Sequence, residues 1–372
     1  METKSKNSFT EDMTPAFSFG LPFIFVPLMI IAWIYGGWTI LAVPIFGYVI
    51  ITIFDFLIGT KLIAPKFKPD EDNKKYKIIL FAWPPIQLFL IFGSLVAIFS
   101  FEHLNFIEAT GLMLVQGLIT GAVGIVFAHE LMHQKTRFER FLSDLLMGMA
   151  IYGHFRTEHV LVHHRHVGTE KDAVTARFGE GFYKFFIRIV PQCFLSAWET
   201  EKEMLTKKER PFWDFLNPFY IYFGLSILFL VSSFLIGGIL GVLCFFIQAF
   251  IAVLHLEVVN YIEHYGLVRQ KLENGKFEPT KPHHSWNANH HASNLLLINL
   301  QKHSDHHARP NKTYESLQSY DENDAPQLPF GYPLMVLISL IPALWRKVMD
   351  PKVIEWRNKF YPDLTDWGKS QA

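Results

Sequence analysis

Residues 16–60, "AFSFGLPFIFVPLMIIAWIYGGWTILAVPIFGYVIITIFDFLIGT", carry a single charged side chain, Asp55. A helix needs roughly 20 apolar residues to cross about 30 Å of hydrocarbon. This run is long enough for two such helices, with the glycines of "YGGW" as the turn between them. The remainder of the chain agrees. Half of its 372 residues are hydrophobic, 18% are charged and 36 are Phe, values that point to the membrane class. Formal net charge is zero, which gives no electrostatic basis for a nucleic-acid partner.

Further apolar runs lie at about 78–100, where Pro84 and Pro85 are expected to bend the helix, and at about 111–128. Two more, at about 219–235 and 239–260, meet at Gly237-Gly238. With about 16–34 and 38–60 they make six expected transmembrane helices. Their polarity follows from Lys and Arg, which accumulate on the cytoplasmic side. Two precede the first span, six separate spans two and three, thirteen separate four and five, and thirteen follow the sixth, which accounts for all 34. The three opposite turns carry none. Both termini and both large polar segments are therefore expected in the cytoplasm, with the protein in the inner (cytoplasmic) membrane. The start lacks a cleavable signal pattern. Residues 330–345, "FGYPLMVLISLIPALW", are short and contain prolines, and are expected as an interfacial or re-entrant helix. The expected fold class is all-α: a polytopic membrane protein, one domain over 1–372. Six transmembrane helices would be capped by a cytoplasmic helical part from segments 129–218 and 261–350.

Seventeen histidines stand out, and sixteen fall on the cytoplasmic side; His103 is the exception. "HELMH" supplies His129 and His133, four apart and so about 6 Å apart along one helical face. "EHVLVHH" supplies His159, His163 and His164; "NYIEHYGL" supplies His264; "LQKHSDHHA" supplies His303, His306 and His307. The spacings within the second and last groups are expected to let each converge from one helical face. The first motif alone matches a zinc protease, but no downstream ligand follows at a protease spacing. One zinc site takes three or four protein ligands; nine histidines suit two metals with four or five imidazoles each. Imidazole binds iron, copper, zinc and nickel, so the ligand type leaves the metal open. A second Glu-x-x-His, needed for a carboxylate-rich di-iron bundle, is absent. A histidine-rich transporter would place ionisable groups inside the spans, whereas these gather outside. Glu130, Glu158, Glu263 and Asp305 each adjoin a histidine and are candidates to hold the outer ring N–H of a ligand.

These stretches, with "HHSWNANH", resemble the integral-membrane alkane 1-monooxygenases, within the wider membrane desaturase–hydroxylase group. The resemblance runs from the first span to about Leu317. After the second box the chain reads "GTEKD", which keeps Asp172 without the family's proline. The resemblance implies two iron ions held by the nine histidines, O2 as co-substrate, and hydroxylation of the terminal methyl of medium-chain n-alkanes. It also implies electrons from a separate rubredoxin with its NAD(P)H-dependent reductase. Cys193 and Cys244 are too few for a fused rubredoxin. Alkylbenzene methyl groups or fatty acid termini are alternative substrates for the same chemistry, and lipid desaturation is a further alternative. Asp55, in a span, is a candidate to approach the site. His154, His166, His255, His283, His284, His290 and His291 are read as supports or surface residues. Lys135, Arg137 and Arg140 are candidates for docking an acidic electron carrier.

Overall fold

With no competing water in hydrocarbon, a backbone must satisfy its own hydrogen bonds, and long apolar runs do so as helices. The computed structural model of the chain describes residues 14–65, 73–364 and 367. Among these it contains helices and isolated β-bridges but no strand. The initial polar stretch, 1–13, lies outside the described residues. Five helices are long and apolar enough to cross a membrane: α1 (Ala16–Tyr35), α2 (Gly37–Ile58), α3 (Asn73–Ser100), α4 (Phe106–Met132) and α8 (Phe219–His264).

The sequence leads to six, and the difference lies in α8. At 46 residues it would be about 69 Å long if straight, over twice the hydrocarbon thickness. It is broken at Gly237 (φ −135°, ψ 19°) and Gly238 (φ 57°, ψ −145°). The positive φ at Gly238 is one that only glycine adopts without strain. Gly241 sits directly against the Ser233 carbonyl, although eight helical residues rise about 12 Å. The chain therefore reverses, and α8 is two arms, 219–236 and 239–264. Two other boundaries differ. Helix α3 begins at Asn73 rather than 78 and runs through Pro84 and Pro85 as one helix. Helix α4 starts at Phe106, where Asn105 and Glu108 form a capping box, and continues through the first histidine motif.

Glycines and a polar ladder hold the second arm of α8 against α4. A Cβ on Gly117 would lie 2.6 Å from the Gln248 carbonyl oxygen and 2.6 Å from Ile251 Cβ; one on Gly121 would lie 2.7 Å from His255 Cβ. Small residues four apart allow this close approach inside a bilayer. Beside them, Gln87 Nε2 donates to Thr120 Oγ1 (2.8 Å), the Thr120 hydroxyl donates to Gln248 Oε1 (3.0 Å), and Gln248 Nε2 donates to the Met149 carbonyl (2.7 Å). Trp33 and Ser94 extend the set at 2.9 Å. The spans are thus less free of polar groups than their hydropathy implies. Within this ladder each group finds a partner, as burial in hydrocarbon demands.

The amphipathic helix α5 (Arg137–Met149) starts at a second capping box, Thr136 with Glu139. Helix α6 (155–166) follows, then α7 (Phe182–Lys207), α9 (His291–Leu296) and α10 (His303–Ala308). The expected interfacial run is two helices, α11 (Tyr332–Ser339) and α12 (Pro342–Phe360), parted at 340–341. Trp345 of α12 packs on Tyr261 and Tyr265 of α8, with ring centroids 5.0 and 5.3 Å apart. Asp55 lies beside α9, where its Oδ1 accepts the Ser293 N–H (3.0 Å) in the first turn, close to His290.

If the α4–α8 approach is as tight as Gly117 indicates, Gly117→Ala overpacks it and costs about 1–3 kcal/mol. A lowered thermal midpoint of the purified protein in detergent checks this. Gly224→Ala, which meets nothing within 4 Å, leaves the midpoint unchanged.

Candidate metal centre

Four segments bring the nine histidines together: the end of α4, helix α6, the end of α8 and helix α10. They fall into two groups. His129, His133, His159, His164 and His306 form one; His163, His264, His303 and His307 form the other; within each, the potential ligand atoms all lie within 4.8 Å of one another. Eight of the nine rings meet through Nε2. In the first group, His133–His159, His159–His164 and His164–His306 are 3.1, 3.0 and 3.1 Å apart. In the second, His163–His307, His307–His303 and His303–His264 are 3.2, 2.9 and 3.1 Å apart.

The division cuts across the sequence motifs. His159 and His163 are not on one face as expected; they serve different groups. Residues Glu158–His163 form a π-helix, whose i→i+5 hydrogen bonding widens the turn. That brings His164, five residues on, beside His159 and turns His163 toward α8. In α10, His303 and His307 stay together at i,i+4, and His306 turns to the first group. Helices α6 and α10 each feed both.

A cation fits each group. Separations near 3 Å are what two nitrogens adopt when each binds a shared ion at about 2.1 Å with a right angle between them. His129 Nε2 is buried with no hydrogen-bond partner among the described residues, a donor atom in need of an acceptor of its lone pair. Burial, with neighbouring imidazoles adding to it, pushes the pKa of His133 down to about 3 and those of His159, His164, His303, His306 and His307 well below the usual range. The rings are held neutral, the form that binds metal.

The four carboxylates take different places. Glu263 touches a clustered histidine: its Oε2 lies 3.3 Å from His303 Nε2, while Tyr332 donates to its Oε1 (2.9 Å). Glu130 accepts from Gln134 Nε2 (2.8 Å) and the Tyr314 N–H (3.3 Å). Asp305 accepts from Lys312 Nζ (2.7 Å), the Gln318 N–H (3.1 Å) and Tyr320 (3.0 Å), tying α10 to the loop after it. Glu158 is fully buried with neither oxygen partnered among the described residues, and burial, with Asp172 and Glu257 nearby, pushes its pKa well up. The outer Nδ1 atoms of His159, His164, His264, His303 and His307 are buried without partners among the described residues.

The carboxylate that does meet an outer ring nitrogen is Asp172, 3.1 Å from His163 Nδ1 and itself fixed by Thr175 (2.7 Å) and the Val174 N–H (3.1 Å). Burial works to raise its pKa, but His163, His264 and Thr175 hold it below the carboxylate range. Nine residues past His163 and in a turn, it offers no helical spacing by which to find it. Its only sequence signal is the retained Asp of "GTEKD". The remaining histidines stay outside the two groups. His154 packs between Tyr152 and Phe194. His283 and His284 meet Tyr361 at 3.2 and 2.7 Å, near Glu278. His103 meets the Trp33 carbonyl at 3.2 Å.

One cavity reaches both groups, touching His129, His159 and His303 together with Asn260 and Glu263. A second, apolar pocket, walled by α1, α2, α4, α8 and the 296–300 and 332–336 segments, lies next to it, with Val126, Val259 and Leu300 lining both.

These rings set a direction of acid sensitivity. In the folded chain they stay neutral down to about pH 3 for His133, while in the unfolded chain they protonate near 6.5. The unfolded state then binds more protons, so stability falls as pH drops below about 6.5. Melting temperatures of metal-free protein between pH 8 and 4 are expected to decline below about 6.5, and His133→Asn, which cannot protonate, to reduce the slope.

Residues 105–339 match the family model described as fatty acid desaturase. The chain is 39% identical over 321 residues to alkane 1-monooxygenase 1 of Pseudomonas aeruginosa, covering 84% of this chain and 82% of the relative. It is 36% identical to alkane 1-monooxygenase of Ectopseudomonas oleovorans, covering 90% and 79%. It is 29% identical to the xylene/toluene monooxygenase hydroxylase component of Pseudomonas putida, covering 68% and 67%. Matches of this extent, on a helical membrane fold whose histidines gather as metal donors, place the chain in the alkane 1-monooxygenase family of membrane hydrocarbon monooxygenases.

Proposed function

We propose that this protein hydroxylates the terminal methyl of medium-chain n-alkanes, using O2 and electrons from a separate rubredoxin served by an NAD(P)H-dependent reductase. Two iron ions would be held, one by His129, His133, His159, His164 and His306 and one by His163, His264, His303 and His307. Iron bound there supplies the reduction of O2 by delivered electrons that C–H oxidation needs. The chain is read as one domain crossing the inner membrane six times, each arm of α8 counting once, with both termini and the histidines on the cytoplasmic side. The segregation of Lys and Arg supports that orientation.

The observation that carries the substrate is the apolar chamber lying next to the cavity at the histidines. Alkanes partition into the bilayer, and a chamber walled by span residues takes them without desolvating a polar group. Val126, Val259 and Leu300 line both spaces, and a chain extended past them would present its end first. Selection of the terminal carbon is by shape rather than by hydrogen bonds. Glu263, held by Tyr332 and lying against His303, is positioned to hold a proton at Oε2 beside the reacting end. Asp172 orients His163. The exposed Lys135 and Arg137, with Arg140 anchored on the Gln134 and Lys135 carbonyls (3.2 and 2.7 Å), form a basic edge next to His133 suited to an acidic carrier.

The test is product analysis by gas chromatography–mass spectrometry on membranes containing the protein. They are supplied with NADH, rubredoxin, its reductase and a mixture of n-octane, n-hexadecane, p-xylene and laurate. Primary alcohols from an alkane are expected, and their loss in His264→Ala. Products from p-xylene or laurate alone would keep the chemistry and replace the substrate. No oxygenated product, with zinc in place of iron by elemental analysis, would overturn the proposal.

A further inference from the structure

Helix α7 lies along the second arm of α8. Phe182 and Phe185 pack on Tyr261, with ring centroids 5.8 and 5.3 Å apart, and Phe186 packs on Phe250 at 6.0 Å. Phe250 is about 17 Å from the start of that arm and about 21 Å from its end, which puts it within roughly 30 Å of hydrocarbon. The start of α7 is therefore held at the edge of the acyl chains. The start of α12 joins it there. Tyr183 donates its hydroxyl to the Leu340 carbonyl (2.9 Å), and a Cβ on Gly181 would lie 3.5 Å from Pro342 Cβ.

The surface that these two helix starts share is apolar and uncovered. Ile187 is 76% exposed, and Tyr183, Leu337, Ile341 and Leu344 are exposed with it. The charge beside it has one sign. Residues 181–198 and 327–349 hold no acid, and their cations are Lys184, Arg188, Arg346 and Lys347. Arg188 is taken by both oxygens of Glu180 (3.0 and 2.9 Å), while Lys184, Arg346 and Lys347 are exposed. The next acids along are engaged: Glu199 faces Lys202 (3.3 Å), and Asp350 accepts from Tyr265 (2.6 Å). An apolar face bordered by cations on long stems is the pattern of helices lying in the headgroup layer.

We infer that the starts of α7 and α12 form a binding site for an anionic phospholipid of the leaflet on the histidine side. Lys184, Arg346 and Lys347 hold its phosphate, and Ile187, Ile341 and Leu344 contact its acyl chains. The inference goes beyond hydrocarbon oxidation and requires neither a metal nor a substrate. Cations next to a span draw anionic lipids. A zwitterionic headgroup offers them no net charge, and an acidic soluble protein would leave the apolar face uncovered. The site also bears on the histidines. Trp345, next to Arg346, packs on Tyr261 and Tyr265, which lie on either side of His264 in the chain, so a lipid bound here clamps the end of α8.

The experiment titrates the full-length protein, purified in neutral detergent, with dioleoylphosphatidylglycerol, dioleoylphosphatidylcholine and inorganic phosphate. Bound lipid is read by native mass spectrometry, and the melting temperature is read alongside it. The anionic lipid is expected to bind roughly tenfold more tightly than the zwitterionic one and to raise the melting temperature, because it binds the folded state. Arg346→Gln/Lys347→Gln should weaken the anionic lipid roughly 25-fold, about fivefold for each charge. Lys271→Gln/Lys276→Gln, the same loss of charge on an exposed hairpin, should leave it unchanged. Lys184→Gln, with an expected loss of roughly fivefold, serves should the first variant not fold. Equal affinity for the two lipids overturns the inference, as does an equal loss in the hairpin variant. A melting shift with phosphate matching that with the anionic lipid overturns it as well, since the site would then take the free anion. If the α12 variant keeps its lipid affinity but binds rubredoxin more weakly, the face docks a protein and the inference fails.

Discussion

The structure is arranged around nine imidazole rings, eight of which bring their Nε2 atoms to within about 3 Å of a neighbour in the interior. Buried this deeply, His133, His159, His164, His303, His306 and His307 are held neutral, because desolvation disfavours the charged form and neighbouring charges would repel. They can carry lone pairs, and lone pairs brought this close repel unless a cation lies among them. The donor set and its burial are therefore one requirement, which the fold meets by ending two long helices, α4 and α8, at the same depth. Helices α6 and α10 are then laid across those ends.

That depth is set by features far from the histidines. The glycines at 117 and 121 let α4 and the second arm of α8 approach closely, and the Gln87–Thr120–Gln248 ladder fixes their relative height. A one-residue slip between the two helices would move His129 and His264 apart by about 1.5 Å and turn each by about 100°. Polar groups in hydrocarbon have few alternative partners, so such a ladder acts as a register device as well as a source of stability. The apolar chamber lies along the same pair of helices, so what aligns the donors also shapes the chamber beside them.

The helical membrane character and the histidines worth attention were legible in the sequence. Hydropathy located the apolar runs, and Gly237-Gly238 marked the turn that divides α8. What escaped was anything dependent on local helix geometry. The heptapeptide 158–164 reads as an α-helical i,i+4 pattern, and nothing in its composition announces the π-turn that sends His159 and His163 to different groups. Asp172 escaped because contact with His163 is made by a turn. Glu130 and Asp305 adjoin histidines in sequence but point elsewhere, for neighbours on a helix face different directions. The polar ladder was hidden by averaging, since Gln87, Gln116 and Gln248 are diluted by apolar neighbours in any window of a span's length.

The crossing of α6 and α10 between the two histidine groups has a consequence for how they fill. Each of these helices places rings on both sides, so the chain cannot order one set of donors without nearly ordering the other. On the two-ion reading, an ion at the first set would immobilise α6 through His159 and His164 and α10 through His306. That leaves His163, His303 and His307 already posed for a second ion, which meets a smaller entropic cost. Under the two-ion reading, occupancy is thermodynamically linked, and by reciprocity departure of either ion loosens the hold on the other. The protein would then populate empty and doubly filled forms at the expense of the half-filled one.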